Sequence, residues 1–213
     1  MTGALFTLGV AGAGLNVWNA YSLARRPLTE PAALVANWRS YQQGGHRRGP
    51  GRAVVTVVVF SDYECVYCAV TERRLGALRT KYPTLLAEIF YHYPLPGHRN
   101  AAGAAKAAVC GADQGYFETL NALLFSKRDS LEKMPWSALA TAAGVPDSAR
   151  FRSCVDSPKA TSKLAADIAA GRQIRAGVTP TILINDAMYD GLPADLERLI
   201  EREITRHGAP ERT

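Results

Sequence analysis

The chain has 213 residues, of which 47% are hydrophobic and 21% charged, enough apolar material to bury a core and too much for a chain whose main state is disorder. Its 25 Lys and Arg against 19 Asp and Glu give a net charge of +6. That surplus is scattered and accompanied by no arginine and aromatic motif of an RNA module, which argues against nucleic acid as a partner.

The segment Met1 to Ala24 carries no charged side chain and includes Leu5, Phe6, Leu8, Val10, Leu15, Val17 and Trp18. As a helix it would be long enough to cross a bilayer, and Ser22 and Ala24 would suit cleavage after export. Residues 1–24 are therefore expected to be a signal peptide or an N-terminal membrane anchor, although Arg25 and Arg26 follow the stretch and no basic residue precedes it. Pro27, Pro31, Pro50 and the run Gly44 to Gly51 suggest a linker over 25–51 with one short helix around Ala32 to Tyr41. A folded domain is expected over 52–207, followed by a tail at 208–213.

Ala53 to Phe60 is a β-branched run too short for a comfortable helix and too apolar for a one-faced strand, so it reads as a central strand covered on both sides. Helical pattern resumes near Cys65 and runs to Lys81, and Ala87 to Tyr93 is a second strand ended by Pro94. From about 97 to 175 the pattern is helical, with breaks near Ser126 to Ser130, at Gly144-Val145-Pro146 and at Ser157-Pro158, giving four pieces. Thr181 to Ile184 and Ala187 to Tyr189 read as a strand pair, and Pro193 to His207 as a closing amphipathic helix. That order of elements fits an α/β class, a thioredoxin fold with a helical insertion.

The chemistry lies in Phe60-Ser61-Asp62-Tyr63-Glu64-Cys65-Val66-Tyr67-Cys68. Two cysteines three apart at the start of a helix share a face, close enough for a disulfide. The unpaired N–H groups and the dipole at the helix N-terminus favour an anion, so Cys65 is expected to be the thiolate that meets substrate. Cys68, one turn further in, would resolve the mixed disulfide. Zinc uses the same spacing but needs two further ligands, and Cys110, Cys154, His46, His92, His98 and His207 form no second knuckle. Asp62 and Glu64 flank the pair, and a carboxylate facing Cys65 would raise its pKa. His98 reads as a cap or core-edge residue; His46 and His92 show no readable role.

These residues resemble the DsbA-like thioredoxin-fold oxidoreductases. The matching pieces, in family order, are Phe60 to Cys68, Tyr93-Pro94-Leu95 with His98, Cys110-Gly111-Ala112 with Gln114 to Phe117, and Gly177-Val178-Thr179-Pro180-Thr181. Val66-Tyr67 stands where several members have proline first and strong oxidants have a Pro-His pair. The resemblance implies a thioredoxin domain interrupted by helices, and reduced or unfolded proteins as substrates. It implies a cis Thr179–Pro180 bond beside the cysteines, with Val66, Tyr67, Thr179 and Pro180 touching substrate. It also implies a structural disulfide between Cys110 and Cys154; in a reducing compartment these would be two small buried residues. No metal or organic cofactor is implied. The expected partner for re-oxidation is a membrane thiol oxidase, in a periplasmic or other extracytoplasmic setting with a possible membrane tether. A reductase or isomerase of the same fold, or a peptide-binding module with incidental thiols, would be the alternative.

Overall fold

The β-branched run that begins after Ala53 forms a strand buried along its whole length in the computed structural model, which describes residues 27–208. In chain order the strands are β1 (Ala33–Leu34), β2 (His46–Arg48), β3 (Val55–Ser61), β4 (Leu86–His92), β5 (Thr181–Ile184) and β6 (Ala187–Asp190). The helices are α1 (Val66–Lys81), α2 (Ala101–Ala112), α3 (Phe117–Ser126), α4 (Trp136–Ala142), α5 (Ser148–Val155), α6 (Pro158–Gln173) and α7 (Leu196–Gly208). The strands make one mixed sheet in the order β1-β6-β5-β3-β4-β2. β3 lies at its centre, parallel to β4 and antiparallel to β5.

Burial on both faces explains why β3 reads as a nearly continuous apolar run and not as an alternation. Val55, Val57 and Val59 pack with Leu75 and Leu78 of α1 and Leu196, Leu199 and Ile200 of α7. Val58 and Phe60 face the other way, against Tyr41, Ile89, Tyr91 and Ile174. A third cluster fills the insertion, where the alanine-rich α2 buries Ala104, Ala105, Ala107 and Ala108 and so admits close neighbours. Tyr63, Cys65, Cys68 and Ala69 belong to this third cluster, which places the cysteine pair on the seam between sheet and insertion.

The structure differs from the sequence reading in two places. Residues 33–48, expected as part of a linker, add strands to both sheet edges: β1 pairs with β6 and β2 with β4. The expected short helix is a 3-10 turn over Trp38–Gln42 that buries Tyr41. Gly45 is needed where this segment crosses the sheet, since a Cβ there would lie 2.6 Å from the Phe90 carbonyl. Arg48, one of the scattered basic residues, is buried, pairing with Glu72 at 2.5 Å and with Glu88. The insertion has five α-helices and not four, because Gly115 at φ +84° ends the first piece. The Met1 to Ala24 segment lies outside the described residues, as do 209–213. Among the described residues, no helix is long and apolar enough to cross a membrane.

Candidate active site

Strand register brings the site together. Phe60 on β3 lies opposite Thr181 on β5, and Ser61 lies beside His92 on β4. The chain leaving β3 toward Cys65, the chain leaving β4 through Pro94, and the chain entering β5 through Thr179 and Pro180 therefore meet at one end of the sheet. The Thr179–Pro180 peptide bond is cis.

Cys65 is the N-cap of α1: its backbone is extended and its Sγ accepts from the Cys68 N–H at 3.4 Å. The Cys65 thiol lies 3.2 Å from the Thr179 carbonyl, to which it donates. The Cys68 thiol beside it is the main cause that lowers the Cys65 pKa, to about 6, with burial opposing and the Thr179 side chain and the Cys68 and Tyr67 N–H groups assisting. Cys68 is pushed the other way, well above the usual thiol range, first by burial and then by its hydrogen bond to Cys65. Both thiols are free in this structure. One sulfur is thus held ready to ionise and the other is held protonated.

Around the pair the surface is apolar. Val66, Tyr67 and Val178 are 54%, 65% and 44% exposed, so three large apolar side chains next to Cys65 and Thr179 in the chain meet solvent. Thr179 and Pro180 are buried behind them. The other cysteine pair lies elsewhere: Cys110 on α2 and Cys154 on α5 are joined by a disulfide that closes a separation of 44 residues.

Neither flanking carboxylate is free to face Cys65. Asp62 accepts from the Glu64 and Leu95 N–H groups, both at 2.7 Å, and pairs with His98 Nδ1 at 2.8 Å. Glu64 accepts from the N–H groups of Asn100 and Ala101 at 2.7 and 2.9 Å, capping α2. Sequence reasoning did not anticipate these partners, although Asp62 and Glu64 beside the turn Pro94 to His98 were the available signal. His46 and His92 form a pair, Nε2 to Nε2 at 3.1 Å, with His46 stacked on Phe117. Burial lowers both pKa values, that of His46 to about 3, so the pair is a neutral packing element. Among the described residues no group of three or more His, Cys, Asp or Glu could hold a metal ion.

A family model described as thioredoxin matches residues 41–202. Among curated proteins the chain is similar to the Na(+)/H(+) antiporter NhaA 3 of Salinispora tropica, 30% identical over 203 residues, covering 90% of this chain and 31% of that protein. It is also similar to the Na(+)/H(+) antiporter NhaA of Herminiimonas arsenicoxydans, 32% identical over 146 residues, covering 68% of this chain and 23% of that one. The chain thus spans about a quarter to a third of the length of these relatives. Similar solved structures include BdbD from Bacillus subtilis in its oxidised form, at 21% identity and TM-score 0.68, covering 84% of this chain and 97% of that one. The thiol-disulfide exchange protein alpha-DsbA2 of Wolbachia pipientis matches at 19% identity and TM-score 0.66, covering 80% of this chain and 92% of that one. A periplasmic thioredoxin-like protein of Salmonella enterica serovar Typhimurium matches at 22% identity and TM-score 0.66, covering 81% and 99%. At these identities the likeness establishes a shared fold.

Proposed function

The chain belongs to the thioredoxin family, and from that premise we propose that it is a protein thiol-disulfide oxidoreductase that oxidises substrate thiols, with Cys65 meeting substrate and Cys68 the sulfur that leaves as the mixed disulfide forms and resolves it when exchange runs back. The observation that carries this reading is the asymmetry of the pair: Cys65 caps α1 with its pKa lowered to about 6, while burial raises that of Cys68.

In the oxidised enzyme Cys65 and Cys68 share a disulfide. A substrate thiolate attacks Cys65 Sγ, the bond to Cys68 breaks, and Cys68 leaves with the electron pair and takes up a proton. The product is a mixed disulfide between substrate and Cys65. A second substrate thiolate then attacks the substrate sulfur and displaces Cys65, which leaves well because its thiolate is stabilised. Two electrons have passed from the substrate dithiol to the pair, and the substrate holds a new disulfide. The same stabilisation favours the reduced form of the enzyme over its disulfide, the condition for a protein that oxidises its partners.

Val66, Tyr67 and Val178 are the surface that an unfolded or reduced protein would lie against, with Thr179 and Pro180 below it. Each cycle leaves two electrons on Cys65 and Cys68, so re-oxidation needs an acceptor, for which a membrane quinone-linked thiol oxidase has the required chemistry. An oxidising, extracytoplasmic compartment is supported by the Cys110–Cys154 disulfide and by the uncharged stretch Met1 to Ala24. The test is trapping in cells. Cys68→Ala, whose Cys65 thiolate can attack a client disulfide and displace one client sulfur but has no neighbouring thiol to release the product, should accumulate mixed disulfides with client proteins, and Cys65→Ala should trap few or none; equal trapping by both would overturn the assignment.

A further inference from the structure

Asp62 meets both cysteines through its main chain. Its N–H donates to Cys68 Sγ at 3.5 Å, and its carbonyl accepts from the Cys65 N–H at 3.2 Å. Its side chain is fully buried and turned toward the segment between β4 and α2. Two of its three donors, the Glu64 and Leu95 N–H groups, belong to the backbone; the third is the His98 imidazole. An ionised carboxylate offers about four acceptor positions, and a buried one short of donors is costly.

His98 is the part of this arrangement that reaches solvent, with its side chain 33% exposed. It borders a cavity of about 310 Å³ whose charged lining is Glu64, Arg128, Asp129 and Glu132. The Glu64 carboxylate is already engaged by Asn100 and Ala101, and the carboxylate in hydrogen-bond contact with His98 is that of Asp62, at 2.8 Å.

We propose that Asp62 and His98 are positioning residues for the thiol pair, with His98 fixing the Asp62 carboxylate so that the Asp62 main chain is held against Cys65 and Cys68. This deepens the oxidoreductase reading and rests on it. Two consequences follow from loss of the imidazole, and they have the same sign. The loop 62–64 loosens, so Cys65 spends less time in the geometry where the Cys68 donors reach it. The Asp62 carboxylate also loses a donor, so more of its negative charge is felt by a thiolate two peptide planes beyond Tyr63. Both raise the Cys65 pKa.

The test follows Cys65 ionisation in the reduced full chain, by thiolate absorbance and alkylation rate against pH, with no protein substrate present. His98→Ala should move the midpoint up by about 0.5 to 1 and slow alkylation below the midpoint about three- to tenfold. His98→Asn, whose amide nitrogen can occupy the place of Nδ1, should recover at least half of that change. Leu139→Ala, in the insertion core, should lower stability and leave the midpoint where it was. A midpoint unchanged in His98→Ala, the same displacement in Leu139→Ala, or no recovery in His98→Asn would each overturn the proposal. Absence of client trapping by Cys68→Ala would instead count against the oxidoreductase reading, since the midpoint measurement needs no client.

Discussion

At the first turn of α1, Cys65 takes the part that serine or aspartate takes at other helices: its side chain accepts the N–H of the third helical residue, Cys68. A thiolate accepts more strongly than a thiol, so ionisation and capping reinforce one another. The folded pKa of about 6 lies below that of an unfolded cysteine near 8.5. Between these values the unfolded reduced chain binds more protons than the folded one. Stability of the reduced protein therefore rises as pH rises through this window, and the contribution is lost as pH falls through about 6. Cys68, raised by burial, stays protonated in the window and opposes the trend only close to the free thiol value. The expected gain for reduced over oxidised protein is about 2 kcal/mol between pH 6 and 8, read from denaturant unfolding of both forms. A difference that stays flat over that range would show that Cys65 is not ionising as the geometry requires.

At the scale of elements, the outer strand β2 and the insertion are each held by a device of their own. β2 carries Arg48 into a buried cluster in which Glu88 of β4 pairs with both Arg48 and Arg79, and Arg48 also binds Glu72 of α1. Burial works against the Glu72 carboxylate, and Arg48 nevertheless holds its pKa below the usual range. Arg48→Met should cost about 3 to 5 kcal/mol, because it leaves Glu88 as a buried charge short of a partner; a loss under about 1 kcal/mol by urea unfolding would remove the cluster from the account. The insertion is tied by Cys110–Cys154 across 44 residues. Replacing both with alanine should cost about 4 kcal/mol on the loop-entropy argument, and an unchanged urea midpoint would contradict it. These two devices also separate what was legible in the sequence from what was not. β3, α1 and β5 were readable because one short segment carries its own signal: a β-branched run, a cysteine at a helix start, Thr181 to Ile184 after a proline. β1 and β2 were not, because strands of two and three residues have no period to show. What holds β2 is Arg48 meeting Glu72 and Glu88, residues 24 and 40 positions away, and β1 is held by its pairing with β6. Likewise Cys65, Cys68 and the Thr179-Pro180 pair announce themselves locally, whereas the bond between Asp62 and His98 spans 36 positions and depends on how β4 ends.

For the whole molecule, the sheet register gathers the Cys65 loop, the His98 segment and the Thr179 loop at one end, and the insertion packs against the same end through Tyr63, Cys68 and Ala69. Everything then depends on the free-energy difference between the dithiol and the disulfide forms of Cys65 and Cys68, which sets the direction of exchange. Stabilising the Cys65 thiolate favours the dithiol, and at pH 7 a thiol pKa lowered to about 6 is worth about 1.4 kcal/mol, or about 30 mV for a two-electron couple. Above that pKa only one proton accompanies the two electrons, so the potential should fall by about 30 mV per pH, and below it by about 59 mV. The measurement is the reduction potential of the Cys65/Cys68 pair, equilibrated against glutathione from pH 5 to 8. An oxidant should give a value at pH 7 less negative than about −180 mV, with the slope changing near pH 6; a value of about −230 mV or lower, falling by about 59 mV per pH throughout, would contradict it and assign the protein to reduction.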